Sequence, residues 1–80
     1  LTDPQVKVIA QVIQERKNQD RQWGGPDHDD SHNLGDWMSY FEYQFTSMGE
    51  DNARQRLIKI AALAVAAVES IDRKESKNEA

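Results

Sequence analysis

The sequence predicts an all-α fold of three helices, a helical hairpin followed by a long apolar third helix, with the bundle completed by oligomerisation. Three observations carry this. Apolar residues recur at helical spacing in three stretches of the 80-residue chain. Helix breakers separate those stretches: Gly24, Gly25 and Pro26 at the first boundary, Gly49 at the second. The third stretch is apolar on most sides, so two neighbouring helices barely cover it and a partner chain is expected.

The first helix is expected from about Asp3 to Gln22. Thr2 or Asp3 caps it, and Pro4 falls in the first turn, where its missing N–H costs nothing. Val6, Ile9 and Ile13 follow helical spacing, and Val8 and Val12 widen the stripe. The same rows then turn polar, leading to Glu15, Arg16, Gln19 and Asp20. Polar groups that continue a core-facing stripe belong to the rim of a core or to a site, and need partners if buried.

Residues 23–33 read as a connection, with a helix at His28 disfavoured by the adjacent glycines and proline. It is long for a helix–helix link, and such loops are enriched in function. The second helix is expected over about Leu34 to Ser47. Ser31 or Asn33 caps it, and Asp36 suits the positive end of its dipole. Leu34, Met38, Phe41, Phe45 and Met48 form a stripe that reads as core or oligomer interface, with Trp37 and Tyr40 beside it. The third helix is expected from about Asp51 to Lys74, and the polar tail from about residue 75 is expected to fray.

Eighty residues fit one small domain with a modest core. With no cysteine, no disulfide or thiolate–zinc framework staples it, and self-association is the usual remedy. The lack of cysteine and of a secretory pattern fits a cytoplasmic setting. The most apolar stretch, residues 57–68, is too short to span a bilayer and contains Lys59, so no membrane partner is expected.

The net charge of −4 is unevenly spread. Residues 23–51 hold seven acids and no Lys or Arg, whereas residues 1–22 and 52–80 are each slightly basic. A solvated acidic surface is the ordinary reading, and a cation site or a patch paired with flanking arginines is the sharper one. A duplex nucleic-acid partner is disfavoured, because no basic stripe is present.

Three constellations could carry chemistry. In "HDDSH", His28 and His32 enclose Asp29 and Asp30, a ligand mixture that suits zinc, manganese or iron. The competing reading, which the loop context favours, is a corner fixed by its own hydrogen bonds, with "HDD" docked near Arg16 and Gln19 and His32 helping to start the second helix. In "ERKNQ", Glu15 and Gln19 share a helical face, and Arg16 beside them can clamp a carboxylate or meet a phosphate. In "ESID", Glu69 and Asp72 share a face where two carboxylates can hold a hard cation, a spacing common on ordinary surface helices.

Taken together, E-R-x-x-Q, W-G-G-x-x-H-D-D-x-H, a Trp-led helix and A-A-L-A-x-A-A-x-E-x-x-D-R, spanning Glu15 to Arg73, resemble a group of small phage and prophage proteins. Some of that group resemble the MazG-like all-α nucleoside triphosphate pyrophosphohydrolases. That resemblance implies helical carboxylates binding Mg²⁺ or Mn²⁺ and cleavage of an NTP to NMP and pyrophosphate. Glu69 and Asp72 match the E-x-x-D half of the superfamily pattern. The E-E-x-x-E half is absent, since the second helix offers only Glu42.

The expected function is therefore binding of a phosphorylated, nucleotide-like ligand, with metal-assisted pyrophosphate hydrolysis as its extension. Arg16, Gln19, Trp23, His28 and Trp37 are the expected ligand contacts. Glu15, Asp29, Asp30, Glu69 and Asp72 are the expected metal ligands, and no catalytic residue is singled out. The alternatives are a non-enzymatic phage-type interaction or ligand-sequestering protein, and a structural module with no ligand.

Overall fold

A computed structural model describes residues 3–79, which are all-helical in their regular structure. Four helices are present: α1 (Pro4–Trp23), α2 (Pro26–Asp30), α3 (Leu34–Thr46) and α4 (Ala53–Glu79). The expected count of three misses α2. Gly25 frees the backbone ahead of Pro26, whose fixed φ suits a first helical position, so the breakers that stop α1 also start α2.

Asp3 caps α1 by accepting from the Gln5 amide at 2.7 Å. Thr2, the other capping candidate, lies outside the described residues. The helix ends at Gly24, whose φ of 106° is left-handed and lets its N–H reach Asp20 O at 2.9 Å. Gly25 follows at φ 74°, and two positive φ values in succession reverse the chain within one turn. Asn33, one of the two expected caps, does cap α3, and it forms a capping box with Asp36. Asn52 staples the last turn between helices, accepting from Gly49 N at 2.7 Å and donating to Ser47 O at 3.2 Å. α4 runs on to Glu79 instead of ending near Lys74.

α4 is the axis against which α1, α2 and α3 all pack. The cross-helix pairs give the directions. Gln11 meets Arg54 and Glu15 meets Lys59, so α1 runs parallel to α4. Gln44 meets Arg56 and the His32 carbonyl meets Lys74, so α3 runs antiparallel. Because Gln11 pairs in the first turn of α4, residues 4–10 project beyond it.

The expected cores are where the structure departs most from the sequence reading. Of the α1 stripe, Val6, Val8 and Ile9 are exposed because residues 4–10 project beyond α4, and Ile13, where α1 does lie along α4, is exposed as well. On α3, Leu34, Met38 and Phe45 are exposed, and Trp37 is the residue turned inward. Apolar side chains buried among the described residues are Trp37, Ala62 and Ala66; Asp29, His32 and Ser70 are buried with them. The radius of gyration is 13.9 Å, against about 12 Å for a compact domain of this length. A single chain thus leaves much apolar surface uncovered.

Candidate functional site

The inner face of α4 is unusual for a helix at the centre of a fold. Arg56, Lys59, Leu63 and Ala66 follow one another at steps of three and four and face the space between α1 and α3. α1 contributes Glu15, Arg16, Gln19, Gln22 and Trp23, and α3 contributes Trp37, Tyr40, Tyr43 and Gln44. The α2 corner closes the end with His28, Asp29 and His32. These residues line a cavity of about 340 Å³.

One wall is a continuous run of rings. Trp23 and His28 lie nearly parallel with centroids 6.4 Å apart. His28 meets His32 edge-on at 4.6 Å, and His32 touches both Trp37, at 5.1 Å, and Tyr40, at 5.2 Å. Trp37 is 4% exposed and anchors the run; Trp23, at 58%, stands open to solvent at the rim.

Charged groups line the same cavity. Arg16 is a node: its guanidinium lies 2.8 Å from Asp20, 3.6 Å from Glu69 and 3.9 Å from Asp29. Lys59 pairs with Glu15 at 3.3 Å, and Arg56 donates to Gln44 Oε1 at 3.1 Å. Three buried side-chain atoms have no hydrogen-bond partner among the described residues: Gln19 Oε1, Asp29 Oδ2 and Arg56 Nε. All three belong to cavity-lining residues. Buried polar atoms are rarely left unpaired, so each marks a place where something polar is wanted. Burial raises the Asp29 pKa above its ordinary 3.8, and the Arg16 charge only partly opposes this.

Asp30, the next residue, has the opposite environment. It turns to α4 and accepts from Arg73 Nη2 at 2.8 Å, from Arg73 Nε at 3.1 Å and from the buried Ser70 hydroxyl at 2.9 Å. The fork of Arg73 and the Ser70 hydroxyl lower its pKa from 3.8 to about 2. Lys74 donates to the His32 carbonyl at 2.6 Å. The "HDD" corner is therefore locked to α4 through Asp30, and only Asp29 reaches toward Arg16.

The five expected ligand contacts, Arg16, Gln19, Trp23, His28 and Trp37, all line the cavity. The five expected metal ligands are not brought together. Glu15 and Asp29 line the cavity; Asp30 is held by Arg73, Glu69 lies beside Arg16, and Asp72 is exposed on α4 away from the cavity. Among the described residues no three His, Asp or Glu side chains gather as a metal cage. Asn33 caps α3, and His32, expected to help start that helix, stands just before the cap and is buried among the rings. Tyr40, Tyr43, Gln44, Arg56 and Lys59 complete the site without having been singled out in the sequence. The signal for the last two was present: two cations, three residues apart, heading an otherwise apolar helix.

No helix among the described residues is long and apolar enough to cross a membrane. Comparison of the chain with protein-family models, curated proteins and solved structures finds no match.

Proposed function

We propose that the protein binds a phosphorylated, nucleotide-like ligand in the cavity between α1, α3 and α4. The observation that carries this is the pairing, on one cavity, of an aromatic wall with Arg16, Arg56 and Lys59 and with buried polar atoms that lack partners. Rings suit a planar base and cations suit phosphate oxygens. The volume falls within the range of small-molecule sites, roughly 300–1,000 Å³. Arg16 and Arg56 contact phosphate, and Trp23 at the rim stacks on the base. Gln19 accepts a hydrogen bond from it, with His28 and Trp37 forming the wall behind.

Mg²⁺ or Mn²⁺ would enter with the phosphates, with Glu15 and Asp29, the two expected metal ligands that line the cavity, as the carboxylates that would hold it. MazG-like pyrophosphate hydrolysis is the extension of this reading in which the bound metal and Arg16 stabilise developing charge. A ligand of this class implies a cytoplasmic setting, and the exposed apolar faces imply a homodimer or larger homo-oligomer.

Titration with NTPs, dNTPs and monophosphates, with and without Mg²⁺, followed by tryptophan fluorescence, tests the proposal. Saturable quenching is expected for part of the panel. Arg16→Ala and Arg56→Ala should each weaken binding about tenfold or more, as loss of a charged hydrogen bond costs about 1.5–3 kcal/mol. No response to any nucleotide at millimolar concentration would sink the reading. Pyrophosphate release in the same mixtures separates a hydrolase from a sequestering protein, which returns its ligand unchanged. A purely structural module would lose melting temperature in these variants with no ligand dependence.

A further inference from the structure

The face of α4 turned away from the cavity carries its own pattern. Leu57, Ala61, Ala64, Val68 and Ile71 recur at alternating steps of four and three residues. They lie on the side of the helix opposite Ala62 and Ala66, the two alanines that α4 buries. Leu57 is 53% exposed, Val68 57% and Ile71 45%. This is a heptad seam, the spacing by which one helix lies along another. The same steps continue outward to Arg54 at one end and Glu75 at the other, both exposed.

The seam is self-complementary in one orientation only. Antiparallel pairing about a two-fold axis near Ala64 sets Arg54 beside the partner copy's Glu75, and Glu75 beside its Arg54. The same operation sets Ala61 against Val68 and Leu57 against Ile71, so each large side chain meets a small or matching one. Parallel pairing would stack arginine on arginine and glutamate on glutamate. We infer that the outer face of α4 is the interface of an antiparallel homodimer of this chain, closed at both ends by Arg54–Glu75 ion pairs between copies. The exposed stripe on α3 has no oppositely charged pair at its two ends to select an occupant. An isologous contact of this kind leaves the cavity, on the other side of α4, open in both copies.

Sedimentation equilibrium of the whole chain tests the inference. The wild type should show the mass of two 9.2 kDa chains at micromolar concentration. Val68→Asp should produce monomer with its helical circular dichroism retained. Arg54→Glu and Glu75→Arg should each weaken association, roughly 3- to 10-fold from two symmetry-related surface pairs. The double variant should restore it. Both charge reversals lie at exposed helix positions; Arg54→Glu also removes the Gln11 contact, so Glu75→Arg is the reversal that reads the interface where Val68→Asp disturbs folding. A wild-type monomer at all concentrations would overturn the inference. So would a dimer indifferent to Val68→Asp and to both reversals. A dimer weakened by Val68→Asp but with no rescue in the double variant would overturn the antiparallel arrangement.

Discussion

The two faces of α4 invert the usual order of a small helical domain. Its inner face carries Arg56, Lys59, Ser70 and Arg73, among alanines and one leucine, and meets α1, α2 and α3. Its outer face carries Leu57, Val65, Val68 and Ile71 and is exposed in the single chain. Hydrophobic burial normally decides which side of a helix turns inward. Here polar groups hold the inside, through Arg73 on Asp30, Lys59 on Glu15 and Lys74 on the His32 carbonyl. Desolvating charge is costly unless it is paired, so this arrangement stabilises less than an apolar core of the same size. A chain that keeps it carries apolar surface on the outside and unpaired polar atoms on the inside.

The sharpest way to break the comparison uses two neighbours on α3. Trp37 is 4% exposed and anchors the ring wall, whereas Met38 is 60% exposed on the outer stripe. Trp37→Ala should cost about 3–5 kcal/mol, the range for truncating a buried aromatic. At roughly 4–8 °C per kcal/mol for a domain of this size, the melting temperature should fall by more than about 12 °C. Met38→Ala should stay within about 1 kcal/mol. Paired thermal melts at fixed protein concentration check this. Equal losses would mean that the two faces are equally buried in solution, and the distinction between inside and outside would fail.

Why the sequence marked the cavity lining better than the core follows from the same inversion. The capping residues Asp3, Asn33 and Asp36 and the stop at Gly24 act locally, so their signals survive in the sequence. The polar continuation of the α1 stripe, Glu15, Arg16 and Gln19, located the cavity wall because polar groups on a core-facing row need partners. Periodicity says which residues share a face, not which face turns inward. On α3 the stripe of Leu34, Met38 and Phe45 competes with Trp37, Tyr40 and Gln44, and the second set turned in. The direction of Asp30 was hidden for a related reason. Its partner Arg73 lies 43 residues away, and no local rule joins them.

Asp29→Asn gives a smaller effect with the less usual sign. Burial raises the Asp29 pKa, so the folded protein disfavours its charged form. For an acid with a raised folded pKa, the favourable contribution is present below the unfolded pKa of 3.8 and is lost as pH rises through the folded value. At pH 7 the carboxylate therefore destabilises the fold, and an amide of the same shape relieves it. Arg16 keeps Asp20 and Glu69. The melting temperature should rise, and the proposed nucleotide binding should weaken. A fall in melting temperature would show that the Arg16 contact outweighs the desolvation, making Asp29 structural like its neighbour.

Asp30 supplies an effect of the opposite sign. Its folded pKa is lowered to about 2 from 3.8 by Arg73 and Ser70. The stability it contributes is complete above about pH 4 and is lost as pH falls toward 2. Asp29 acts at higher pH and with the other sign: the stability gained on its protonation is already complete near its unfolded pKa of 3.8, where the Asp30 loss begins. Asp30→Asn should lower the melting temperature at pH 7 and remove its share of the acid-dependent loss. Asp29→Asn should leave that loss in place and remove instead the gain in stability as pH falls from 7 toward 4. Melting temperatures of the three proteins at pH 2, 4 and 7 separate the contributions. Added salt should shrink the Asp30 effect more than the Asp29 effect, since ions screen the partly exposed pair with Arg73 more strongly than a desolvation cost in the interior. Parallel pH profiles for the two variants would mean that the neighbouring carboxylates share one environment, contrary to the division between cavity and clamp that the fold places between residues 29 and 30.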